Sequence, residues 1–153
     1  MGAKSLVQPV TKLYDEDFVV WASETARLLR EGRFEEIDVE NLVEEVEAMA
    51  GRDQREVSNR LRVILQHLLK WQFQARKRSG SWHATIITQR AELEGLLEQS
   101  PSLRRSVPAA IAQVYAGAVK AAGAESGLAP GVFPRKCPYS PEQILDEEFL
   151  PER

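Results

Sequence analysis

The chain has 153 residues, 20 Lys plus Arg against 23 Asp plus Glu, and 43% apolar residues, which is the profile of one soluble domain able to bury a core. No run approaches the roughly eighteen apolar residues that cross a bilayer, and the first twenty lack the layout of a signal peptide, so no membrane partner is expected. A single cysteine, Cys137, cannot close an intrachain disulfide, and a reducing, cytoplasmic setting is expected.

The net charge of −3 conceals a polarity along the chain. Residues 1–50 carry five basic and twelve acidic side chains, residues 51–90 nine and two, and residues 91–153 six and nine. Such blocks arise when acidic and basic helices lie side by side, each exposed ion pair contributing about 0–1 kcal/mol. A basic block of this density also suits a local anionic partner, although the mild overall charge argues against a dedicated nucleic-acid protein.

Residues 1–12 contain Pro9 and show no sustained period, and read as an N-terminal arm. From Tyr14 the positions Tyr14, Phe18, Trp21, Thr25 and Leu28 recur at helical spacing, which predicts helix A over 15–31, with Gly32 after its last turn. Asp38 opens helix B over 38–50, with Leu42, Val46 and Met49 inward and Glu40, Glu44 and Glu47 outward or on the flank. Gly51, followed by the capping-box pattern Asp53-Gln54-Arg55-Glu56, predicts a break or kink there. The two segments, 38–50 and 53–77, are either separate helices or one kinked helix. Helix C carries Val57, Leu61, Ile64, Leu68, Trp71 and Ala75 on its inner stripe and ends in Arg76-Lys77-Arg78.

After the turn Ser79-Gly80-Ser81, helix D places Trp82, Ile86, Gln89 or Arg90, Leu93 and Leu96 on one face and ends near Gln99. Ser100-Pro101 has the form of an N-cap and first helical residue, and Pro108 interrupts or restarts the next segment. Helix E, with Ile111, Val114, Tyr115, Ala118 and Ala122 inward, extends to about Glu125. Pro130, Pro134, Pro138 and Pro141 then enforce an extended course, before Ser140-Pro141-Glu142-Gln143 opens a short helix through about Asp146. The expected fold class is all-α: one domain over 1–153, a compact antiparallel helical bundle with the tail 128–153 packed on it as a proline-rich strap and short final helix.

These segments carry a set of landmarks in a fixed order. They are Tyr14-Asp15-x-Asp17-Phe18-x-x-Trp21, Asp38-x-x-Asn41-Leu42-x-Glu44-Glu45-Val46-Glu47, His67-Leu68-Leu69-Lys70-Trp71, Ser81-Trp82 and Arg90. Pro101-Ser102-Leu103, Phe133-Pro134-x-x-Cys137-Pro138-Tyr139 and Ile144-Leu145-Asp146 complete it. In these the chain resembles the bacterial family called domain of unknown function 29, from Tyr14 to Pro151. The resemblance implies an all-helical bacterial domain and brings no activity with it.

His67, Lys70 and Trp71 stand at i, i+3 and i+4 on one face of helix C, and a partly buried imidazole there needs a polar partner. If helix B packs on helix C, a carboxylate among Glu44, Glu45 and Glu47 is expected to bond the imidazole and raise its proton affinity. That cluster reads either as a buried network fixing helix register or as a pocket for a small anionic ligand. The loop Arg76-Lys77-Arg78-Ser79-Gly80-Ser81 leads cations into the start of helix D, where an anion would bind Arg76, Lys77, Arg78 and Ser81. Dipole complementarity and solvation are the plainer account of the same loop. Arg62 followed by four residues and His67 resembles, imperfectly, the motif of the HEPN ribonucleases, in which the histidine acts as acid or base and the arginine steadies phosphate. His67 and His83 lack the Glu-x-x-His spacing of a carboxylate-bridged metal site, so no metal and no cofactor is expected. The function expected is a non-enzymatic binding or interaction module with a protein or small anionic partner, and the alternative is a metal-independent ribonuclease or nucleic-acid-binding protein using Arg62, His67 and the basic loop.

Overall fold

The computed structural model describes residues 10–152, and the elements among them are helical, with no strand. They divide into two compact units, Met1–Gly51 and Arg52–Arg153. The boundary falls inside a helix.

In the first unit the expected helix A is two helices, α1 (Val10–Glu16) and α2 (Phe18–Arg30). The N-terminal arm expected over 1–12 lies outside the described residues as far as residue 9, and from Val10 onward it is helix. Asp17 causes the split: it leaves the helical region at φ −151° and its carboxylate accepts from the amide of Val20, capping α2. Trp21, Thr25 and Leu28 are buried on one face of α2, and Tyr14 meets Trp21 edge to face at 4.9 Å between ring centroids. Gly32, at φ +70°, ends α2: its amide bonds Leu29 O and that of Arg33 bonds Leu28 O, the paired bonds of a Schellman turn.

Of the two expectations at Gly51, separate helices or one kinked helix, the structure overturns the first. After a short 3-10 turn at Phe34–Glu36, α3 runs from Val39 to Phe73 as one helix of 35 residues. One interior glycine costs only about 1 kcal/mol relative to alanine, and Glu56 bonds Arg60 a turn later instead of closing a capping box with Asp53. The helix is about 50 Å long, and the boundary between the two units falls within it. It ends at Phe73, before the expected 77, and Ala75–Lys77 form a 3-10 turn.

The second unit is built from the later part of α3, from α4 (Gly80–Gln99) and α5 (Val107–Ser126), and from the tail. Ser79 caps α4 by accepting from the amide of Trp82. The Ser100-Pro101 signal opens a 3-10 segment, Pro101–Ser106, and Pro108 restarts the chain as α5. Leu61, Ile64, Leu65, Leu68, Ile86, Leu93, Leu97, Ala118 and Ala122 are fully buried at the centre. Gly127, at φ +70°, stops α5.

The tail then follows the expected course, with a 3-10 turn at Pro130–Val132 and the short helix α6 (Pro141–Leu145). Ser140 and Gln143 close a capping box at the start of α6. Phe133, Tyr139 and Ile144 are buried in the core, and the Tyr115 hydroxyl donates to Pro134 O at 2.6 Å. The Tyr139 hydroxyl donates to Gln72 at 2.7 Å. The fold is all-α, with the helices packed against one another.

Candidate functional site

Lys70 is the best-enclosed cation on α3, 5% exposed. A buried ammonium is costly unless paired. Its Nζ donates to the Glu125 carboxylate of α5, Gln66 shares that carboxylate at 2.6 Å, and the Trp82 ring of α4 lies 4.3 Å below the ammonium. Three helices are thus tied at one polar point. Beside it Trp71 and His83 approach at 5.8 Å, and Arg78 covers the Trp71 ring while its Nε donates to Trp71 O at 2.8 Å.

His67 does not find a carboxylate from helix B. Glu44, Glu45 and Glu47 belong to the same helix, about six turns earlier, and the group to which sequence assigned a common pocket does not converge. Glu45 instead accepts from the Tyr14 hydroxyl at 2.7 Å, a bond that pushes the phenol up to about 12. The His67 Nδ1 lies 2.9 Å from Val63 O. Burial lowers the pKa of the ring, Val63 O and Glu125 counter it, and Lys70 adds to the lowering. The expected direction is therefore reversed.

Arg62 and His67, five residues apart, project about 140° apart around α3. The Arg62 side chain lies beside Gly117 of α5, while the His67 ring is bonded back to Val63 O of its own helix. In the basic loop, two of the amides in the first turn of α4 are bonded by Ser79, Trp82 N to its hydroxyl and His83 N to its carbonyl. Arg76 and Lys77 are exposed along a groove of about 220 Å³ with Phe73, Gln74 and Leu128, while the Ser81 carbonyl accepts from Thr85. The loop therefore separates into Arg78, fixed on Trp71, and two solvated cations.

Arg90 carries a role that helical periodicity did not disclose. It sits on the apolar stripe of α4, one turn after Ile86, and is 3% exposed. Its guanidinium donates to Ile144 O at 2.8 Å, Phe149 O at 2.9 Å and Gln143 O at 3.2 Å, with Glu147 O at 3.5 Å. These are the loose carbonyls at the end of α6 and just beyond, so Arg90 caps that helix and fastens the tail. Burial lowers the pKa of the group, and Asp146 and Glu147 offset this.

The other unusual surface is on the first unit. Among the described residues, nine of the eleven large apolar side chains left exposed lie there. On α3 they form a stripe: Val39, Val43, Val46 and Met49 are 59, 48, 57 and 58% exposed. Val46 and Met49 were expected inward, but the side of α3 that meets its own unit carries Asn41, Leu42 and Glu45, with Tyr14 bonded to Glu45.

No helix among the described residues is long and apolar enough to cross a membrane. No curated protein and no solved structure matches the chain. The model of the family described as Domain of unknown function DUF29 matches residues 13–150. That span holds the clamp residue Arg90, the Lys70–Glu125 pair and the exposed stripe of α3 alike, and the chain belongs to this family.

Proposed function

We propose that the protein is a non-enzymatic interaction module whose working surface is the exposed stripe Val39, Val43, Val46 and Met49. The observation that carries this reading is the contrast within one helix. Val39, Val43 and Val46 are followed five turns later, at the same angular positions, by Val57, Leu61 and Ile64, which are 1, 0 and 0% exposed. Stripes of this kind on a helix end against another element. Support also comes from the polar residues, since Lys70, Arg90 and Arg78 are each occupied by partners within the fold.

The test is site-specific photo-crosslinking in cells that express the protein. A photoreactive residue at Val43 is expected to give a discrete adduct, and one at exposed Lys120 on α5 is not. Equal labelling at both positions, or none at Val43, would sink the reading. The nucleic-acid alternative is tested on labelled RNA and DNA over a salt series, where phosphate contacts weaken steeply as salt rises. Binding lost on replacing Arg76 and Lys77, or cleavage lost in His67→Ala, would favour it.

A further inference from the structure

The same stripe has a chemical border. Glu40, Glu44 and Glu47 are exposed and run along one side of Val39, Val43 and Val46, at neighbouring angles on the helix. Elsewhere in this unit the acidic groups of the α2 end are neutralised: Arg27 pairs with Glu24 and Glu31, and Arg33 with Glu31 and Glu36. Glu40, Glu44 and Glu47 hold no ion pair among the described residues. Residues 1–50 carry twelve acidic against five basic side chains, so the field around the stripe is negative as well.

We propose, resting on the interaction reading above, that the occupant of this stripe is an amphipathic helix of another protein, with an apolar face and Lys or Arg along its flank. The helix shape follows from the stripe, whose side chains recur at three- and four-residue steps and present ridges to a second helix. The sign of the flank follows from the carboxylate row. A second copy of the chain laid antiparallel on the same surface across a two-fold axis would set Glu40, Glu44 and Glu47 against their own counterparts, and like charges at a helix interface are unfavourable. A basic flank meets them with opposite charge and excludes acidic competitors. The exposed apolar strip is on the order of a few hundred Å², the scale at which patches mark interaction sites, and one docked helix covers it.

The experiment uses the full chain and two synthetic helical peptides of equal length and identical apolar face, one flanked by Lys and one by Glu. Fluorescence anisotropy is expected to show micromolar binding of the Lys peptide, weakening with salt, and at least roughly tenfold weaker binding of the Glu peptide. The exposed double variant Glu44→Lys/Glu47→Lys keeps the apolar stripe and should exchange the preference; Val43→Asp should abolish binding of both peptides. Circular dichroism checks that each variant is folded. Equal binding of the two peptides, or a preference unmoved by the charge reversal, overturns the proposal. Light scattering separates its failure from that of the interaction reading. A dimer that Val43→Asp dissociates makes a second copy the occupant, overturning the proposal while leaving the stripe an interaction surface. A monomer that binds neither peptide overturns the proposal, and if the Val43 crosslink is also missing, the interaction reading falls with it.

Discussion

Replacing Arg90 by Met tests whether one side chain holds the tail. Two routes are open to the variant. If the tail stays docked, the carbonyls of Gln143, Ile144 and Phe149 lose their donors, at about 1–3 kcal/mol for each one left buried and unpaired. If the tail lifts, water satisfies those carbonyls but Ile144, fully buried, and Leu145 and Phe149, partly buried, lose their packing, at up to about 1.5–3 kcal/mol each. The cheaper route sets the outcome, a loss of about 3–5 kcal/mol. For a chain of this length that lowers the melting temperature by roughly 10 °C. Differential scanning calorimetry reads the loss, and amide hydrogen exchange over 139–151 tells the two routes apart. Arg90→Lys should recover little, because a single ammonium cannot span carbonyls spread over seven residues as a planar guanidinium does. A shift under about 2 °C with the tail still protected would refute the reasoning.

Three further outcomes follow from the same structure. The lowered pKa of His67 means that the unfolded chain binds its proton more readily, so stability is full above the ordinary value of 6.5 and declines as pH falls through it toward the folded value. His67→Gln should therefore narrow the difference between melting temperatures at pH 5 and pH 8, and a widened difference would restore the carboxylate pairing expected from sequence. Glu125→Gln removes the charge opposite buried Lys70 while keeping a hydrogen-bonding group, and should cost about 1–2 kcal/mol in urea unfolding because Glu125 is half exposed. In a double-mutant cycle with Lys70→Met the two losses should fall short of additive. Gly127→Ala places a side chain in the left-handed region at φ +70° and should cost about 1 kcal/mol, read as a lower urea midpoint at unchanged slope.

Signals that act over a few residues were readable in the sequence. Gly32 and Gly127 mark the ends of α2 and α5, the Ser140–Gln143 box opens α6, and Phe133, Tyr139 and Ile144 bury in the core as their types suggest. Gly51 misled because the cost of one glycine is small beside the hydrogen bonds of a continuing helix, and because Asp53-x-x-Glu56 also occurs on ordinary solvent-facing turns. Periodicity found the stripe of α3 but could not say which half would be covered, since burial is a property of the partner surface. The pairing of Lys70 with Glu125 spans 55 residues and that of Arg90 with Ile144 spans 54, distances over which no local pattern carries information.

The reach of the Arg90 clamp also bears on synthesis. Arg90 leaves the ribosome well before Gln143, Ile144 and Phe149 exist, and through that interval its guanidinium has none of the carbonyls it will bond. The core of the second unit likewise lacks Phe133, Tyr139 and Ile144 until the chain has been made that far. Translation therefore passes through a stage in which α3, α4 and α5 are present with an open apolar seam, the kind of intermediate that aggregates or recruits chaperones. A nascent chain arrested with α5 outside the exit tunnel and the residues from Phe133 onward still inside it should be protease-sensitive, and one arrested with Phe149 clear of the tunnel resistant. The residue that fastens the tail thereby also sets how late in synthesis the unit can close.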